Sequence, residues 1–380
     1  MEYLERHIVS EMAQKLQPNK AVLLFGARRT GKTVAVNQLI SKVGGKPLLL
    51  NGEDADARAL LESCTIANYK RLLDGYDLLV IDEAQHVPDI GKKLKLIVDE
   101  VPNVRVVASG SSSFDLKNQA GEPLVGRASQ FLLTPFSQSE ISSTENILST
   151  RQNLEIRLLY GAYPDVVMSQ SNRDRADYLH SLVDAYLLKD ILSVDGLKNA
   201  SKMLDLLRLI AFQIGSEVSY EEIGKQIGLS RNTVEKYLDL LSKVYVIYRV
   251  GGYARNLRKE ISKAGKWYFY DLGVRNAVIK NFSPLSLRQD VGAMWENYLI
   301  SERLKRNHNK RLHHEFYFWK TYDKQEIDLV ECSDDSSMEA FEIKWGDKTP
   351  KCPVAFSTAY PHASYHVLSR DNYLDFLDMT

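Results

Sequence analysis

The residues best suited to chemistry stand near the start of the chain, where Gly26-Ala27-Arg28-Arg29-Thr30-Gly31-Lys32-Thr33 follows the pattern G-x-x-x-x-G-K-[ST]. Gly26 and Gly31 permit backbone angles that a β-carbon would forbid, so successive N–H groups can turn inward toward phosphates. Lys32 supplies a point charge for the β and γ phosphates, and the Thr33 hydroxyl suits a magnesium ion. The lining expected for a nucleotide is the whole run Gly26, Ala27, Arg28, Arg29, Thr30, Gly31, Lys32, Thr33 and Val34. A second group of reactive residues is the pair Asp82-Glu83, closing the apolar run DLLVIDEAQ. Asp82 is placed to hold the metal, and Glu83 to polarise a water for attack on the γ phosphate. A third is the serine cluster from Ser109 to Ser113, in which Ser109 or Ser111 could touch that phosphate or water; an ordinary serine-rich turn is the alternative.

These groups work only if short strands deliver them to one edge. Ala21 to Phe25 reads as a strand, and VAVNQLISKV after Thr33 has helical apolar spacing with a Gly44-Gly45 stop, giving strand, loop and helix. The helix N-terminus adds partial positive charge at the phosphates. Asp77 to Gln85 supplies a second strand and Val104 to Ala108 a third. An acidic residue directly after the magnesium aspartate resembles the P-loop class with an added strand and a catalytic glutamate, which includes AAA+ ATPases. No N-K-x-D motif for reading guanine occurs, so the expected ligands are ATP and Mg2+.

The order GARRTGKT, IDEAQ, ASGSSS, LVGRASQFLLTPFS, GAYPDVV and YLLKDIL resembles, over nearly the whole chain, a large prokaryotic family of AAA+ ATPases carrying a C-terminal domain of unknown function. The resemblance implies that Arg127 touches the γ phosphate, of its own chain or a neighbour's. It also implies that ring formation, hence a homo-oligomer, is open to this chain. Gly161-Ala162-Tyr163-Pro164 reads as a fixed turn rather than as chemistry.

From about Ala200 the pattern is helix, helix, turn, helix, with a hairpin near Val246 to Val250 and Trp267 to Tyr270, which suggests a winged helix. Ser230 is a suitable N-cap, and Val234, Leu238 and Leu241 share one face of the third helix. The other face offers Arg231, Asn232, Lys236 and Lys243 to DNA, with Arg255, Arg258 and Lys259 as a wing. Glu235 and Asp239 on that face oppose phosphate, so a structural or protein contact is the competing use.

Beyond Val291 a helix, three strands (Glu315 to Trp319, Glu326 to Glu331, Glu339 to Lys344), a helix and a final strand (Tyr365 to Ser369) resemble a restriction-endonuclease-like fold. Asp328, Glu342 and Lys344 follow that fold's D…E-x-K order, with Glu296 as a helical carboxylate. Alternation along a strand turns Glu342 and Lys344 to one face, where carboxylates could bind magnesium and the ammonium could orient a water.

The expected architecture is therefore α/β: an AAA+ P-loop domain over 1–140, a helical lid over 141–199, a winged helix over 200–275 and a nuclease-like domain over 285–380. The 49 basic residues balance 49 acidic ones, so no global field holds nucleic acid or an anionic membrane. Cys64, Cys332 and Cys352 have no C-x-x-C spacing and suit a reducing compartment. The charged N-terminus and the lack of a long apolar run lead to the expectation of a cytoplasmic protein with no membrane contact. Three functions remain in play: ATP hydrolysis driving conformational change, an ATP-regulated nucleic-acid-binding protein or nuclease, and a nucleotide-switched regulator of an unknown protein partner.

Overall fold

In the computed structural model, which describes residues 4–111, 124–187, 200–254 and 265–379, five short apolar segments pair in parallel. They are β1 (Ala21–Phe25), β2 (Pro47–Asn51), β3 (Leu78–Asp82), β4 (Arg105–Gly110) and β5 (Ala128–Leu132), ordered β2-β3-β4-β1-β5. Because side chains alternate along a strand, β1 divides its apolar residues between two cores. Ala21, Leu23 and Phe25 pack with Leu61, Tyr69, Ile90, Leu94 and Ile97. Val22 and Leu24 pack with Ile8, Val9 and Met12 of helix Ile8–Lys15 and with Ala35, Val36 and Leu39 of helix Lys32–Val43. A parallel sheet covered on both faces must read as unbroken apolar runs, which AVLLF and LLVI do. The order sets β4 between the strand that leads into the Gly26 loop and the strand that ends on Asp82.

The chain divides into two compact units, the first built mainly from residues up to Phe136 and the second mainly from Ser137 onward. The second begins with short helices. Helix Leu154–Tyr160 stops at Gly161, whose φ of 72° favours glycine, and Pro164 opens the next helix, Pro164–Met168. Helices Ala200–Phe212, Tyr220–Ile227 and Arg231–Lys243 follow. The Ser230 hydroxyl accepts from Thr233 N at 3.2 Å, and Val234, Leu238 and Leu241 are fully buried.

The strands β6 (Ile247–Gly252) and β7 (Lys266–Phe269) pair antiparallel, and β6 also pairs parallel with β8 (Glu315–Lys320). With β9 (Glu326–Cys332), β10 (Met338–Ile343) and β11 (Ser364–Leu368) they make one six-stranded sheet, β11-β10-β9-β8-β6-β7. The hairpin after the third helix is thus an edge of the C-terminal sheet rather than a free-standing wing. Arg255, Arg258 and Lys259 lie outside the described residues, as do Ser112 and Ser113. Among the described residues no helix is long and apolar enough to cross a membrane.

Candidate nucleotide site and a second acidic cluster

At the end of β1 the loop turns where a side chain would not fit: a β-carbon on Gly26 would lie 2.3 Å from the Leu133 carbonyl oxygen. Gly31 has φ of 91° and is the N-cap of helix Lys32–Val43, with no side chain of its own to bond the N–H groups of the first turn. That leaves the helix N–H groups directed at whatever fills the loop. Thr30 is fully buried and its hydroxyl donates to Ala27 O at 2.9 Å, fastening the loop across its base. Lys32 is buried too, its Nζ donating to Gly26 O and Ala27 O, both at 3.0 Å, so the ammonium sits inside the loop's curve. Arg28 is half-buried and Arg29, with φ of 63°, is exposed.

The Thr33 hydroxyl donates to Asp82 Oδ2 at 2.7 Å, which brings a hydroxyl from the loop and a carboxylate from β3 into contact across 49 residues of sequence. Ser109, at the end of the intervening β4, donates to Asp82 Oδ1. A neutral hydroxyl, a carboxylate and a lysine ammonium gathered at a helix N-terminus fit a magnesium-bound polyphosphate. Glu83 follows in the left-handed region, φ 48° and ψ 42°, which costs about 1 kcal/mol for a non-glycine residue. Space for that backbone comes from Gly52, where a β-carbon would meet the Glu83 carbonyl oxygen at 2.3 Å. The Glu83 carboxylate accepts from Gln85 Nε2 at 2.5 Å, and the same nitrogen donates to Ser111 Oγ at 3.2 Å.

Sequence reasoning passed over two residues here. Gln85 was inside the DLLVIDEAQ motif without a role, although an amide two residues past the carboxylate is a legible signal. Arg6 had no local signal. Its buried guanidinium donates to Thr30 O at 2.9 Å and Thr134 O at 2.7 Å and stacks 4.4 Å from the Phe136 ring. The structure does not bring Arg127 to the loop. Its carbonyl accepts from Ala21 N at the start of β1, whereas the loop leaves the far end of that five-residue strand, roughly 15 Å away. Its guanidinium pairs with Asp99 at 2.6 Å instead. Arg127 thus stands at the end of β1 opposite to the loop of its own chain.

In the second unit, Asp328, Glu342, Lys344 and Glu296 converge. Lys344 Nζ lies 2.6 Å from Glu342 Oε1 and 3.5 Å from Asp328 Oδ2, and Asp328 Oδ2 accepts from Ile343 N at 2.7 Å. Lys344 sits just past the end of β10 rather than within it. Burial pushes the Glu296 carboxyl up to about 7, against the pull of Lys266, with the Asp328 charge adding to the rise. Glu342 is raised for the same two reasons, burial and then Asp328, and its Oε2 is buried with no partner among the described residues. Lys266 from β7, unforeseen in the sequence, completes the group: its Nζ lies 2.6 Å from Glu326 and 3.5 Å from Glu296, while Tyr268 donates to Glu296 at 2.6 Å.

Comparison with known proteins divides the chain in three. Residues 18–142 match the model of an AAA domain, residues 151–285 a domain of unknown function (DUF8612), and residues 291–377 another domain of unknown function (DUF4143). An uncharacterized protein of Mycobacterium tuberculosis is 26% identical over 344 residues, covering 89% of this chain and 73% of that one. One of Methanocaldococcus jannaschii is 24% identical over 342 residues, covering 83% and 73%. Among solved structures, a Thermotoga maritima RuvB variant is 16% identical and covers 64% of this chain and 88% of that chain, at a TM-score of 0.32, too loose a superposition to transfer anything. Over residues 18–142, then, the chain is similar to an AAA domain.

Proposed function

We propose that the chain is a magnesium-dependent ATPase whose hydrolysis changes the conformation of its C-terminal parts. The observation that carries this reading is the convergence of Lys32, Thr33, Asp82 and Glu83 at one edge of the parallel sheet. Lys32 and the loop N–H groups hold the β and γ phosphates, and Thr33 and Asp82 present oxygens for magnesium. Thr33 and Asp82 would hold a bound Mg2+, which would supply positive charge against that developing on the phosphate oxygens. Glu83 accepts a proton from the water that attacks the γ phosphorus, giving ADP and phosphate. Arg127, remote from these groups in its own chain, would act only at the phosphates of a neighbouring copy. The segment 141–199 serves as a lid, and the helices of 200–275, whose hairpin extends the C-terminal sheet, act together with the nuclease-like module 285–380.

A second reading is favoured by the unpaired, buried Glu342 Oε2 beside Asp328 and Lys344, a donor set suited to a divalent cation in a nuclease. In that case ATP is the switch, and nucleic-acid cleavage is the output. One experiment on the purified chain separates the readings. Phosphate release that disappears in Lys32→Ala but survives in Lys344→Ala supports the ATPase, with calorimetry showing Mg2+-dependent ATP binding lost in the same Lys32 variant. Magnesium-dependent nicking of DNA or RNA abolished by Asp328→Ala supports the nuclease. Neither activity without an added partner would favour a regulator that binds protein.

A further inference from the structure

Both acidic groups at the end of β3 are held from the end of β4. Ser109 donates directly to Asp82, and Ser111, just past the end of β4, receives the Gln85 amide that also donates to Glu83. We infer that Gln85 is a positioning residue for hydrolysis, which ties the Glu83 carboxylate to Ser111 and so fixes the direction from which Glu83 accepts the proton of the attacking water. This rests on the ATPase reading above.

The identity of the group meeting Glu83 is not arbitrary. A carboxylate only accepts, so the amide must present its NH2 to it, and the second hydrogen of that NH2 is what reaches Ser111. Two bonds from one nitrogen set the amide plane. Gln85 Oε1 is then left buried with no partner among the described residues. Glu83 itself stands in the left-handed region, where its short 3-10 turn, Ala84–His86, carries Gln85 back toward the carboxylate. The left-handed backbone disfavours this arrangement as packing and is explained if the aim of the Glu83 carboxylate is what matters.

The test uses the full-length chain with Mg2+ and ATP. Gln85→Ala is expected to lower kcat about tenfold or more while the ATP dissociation constant stays within about threefold, because the residue acts on proton transfer and touches no phosphate. Gln85→Glu should lose at least as much, since a second carboxylate cannot donate and repels Glu83. Ser111→Ala should lower kcat severalfold in the unaltered chain and add nothing in Gln85→Ala, the non-additivity of two residues in one linkage. The inference is overturned if Gln85→Ala keeps kcat within about threefold of the unaltered chain. It is equally overturned if binding, thermal midpoint and kcat fall together, or if the Ser111 and Gln85 losses multiply. An unaltered chain that neither binds nor hydrolyses ATP sinks the ATPase reading itself, which is seen before any Gln85 variant is made.

Discussion

Arg6 shows how one side chain far away in sequence can shape a loop. In a trans peptide the C=O and N–H point in opposite directions, so a guanidinium that draws the Thr30 carbonyl to one side turns the Gly31 N–H to the other. By its second bond, to Thr134 O, Arg6 also links the loop to the segment that follows β5. Gln38 keeps Arg6 in place, accepting from Arg6 N at 3.1 Å and donating to Leu4 O at 2.8 Å. Arg6→Ala leaves two buried carbonyls without this donor and should lower stability by about 1.5–3 kcal/mol, seen in denaturant titration. It should also weaken binding of both ATP and ADP, whose β phosphate the proposed site would hold with the loop amides. A variant that loses stability but binds ADP as before would show that the strut supports the fold alone.

Among the elements, the most demanding junction is the stop of helix Leu154–Tyr160. A β-carbon on Gly161 would strike the Asp271 carboxylate at 2.0 Å, and one on Gly273 would strike the Tyr160 carbonyl oxygen at the same distance. Asp271 caps helix Leu272–Val278 by accepting from Val274 N at 3.2 Å and also accepts from Ala162 N at 2.7 Å, so one carboxylate serves two turns. Asn276 donates to the Leu158 and Leu159 carbonyls, satisfying the end of the preceding helix. Gly161→Ala combines a φ of 72° with that collision and should cost about 2 kcal/mol or more, measured as a lower denaturant midpoint with unchanged slope. The GAYP run announced the turn; the partner that makes its glycine necessary stands 110 positions away and left no mark on the local pattern.

Across the whole second unit, the Glu296 cluster draws on helix Val291–Lys310, β7, β9 and the end of β10. Burial holds the Glu296 carboxyl near 7 in the folded chain, against an ordinary value of 4.5. Between those values the folded state binds more protons than the unfolded one, so stability falls as pH rises from 4.5 through 7. Denaturant titrations in chelator across that window should show this decline, and Glu296→Gln, which stays neutral and still accepts from Tyr268, should flatten it. A decline of equal slope in the variant would assign it to other groups.

How much was legible follows from the range over which each interaction acts. The loop Gly26 to Thr33, the Asp82-Glu83 pair, the strands and helices around them and the Gly161 turn are fixed by neighbours in sequence, through backbone angles and the periodicity of apolar residues, and the chain itself declared them. The strand order decided the rest. Only pairing of β4 between β1 and β3 could set Ser109 against Asp82 and Ser111 against Gln85, and only the packing of helix Ile8–Lys15 against helix Lys32–Val43 lets Arg6 reach Thr30. Likewise only the six-stranded sheet could bring Lys266 to Glu296, because hydrogen bonds and ion pairs between distant segments depend on where the strands lie, which no local spacing records.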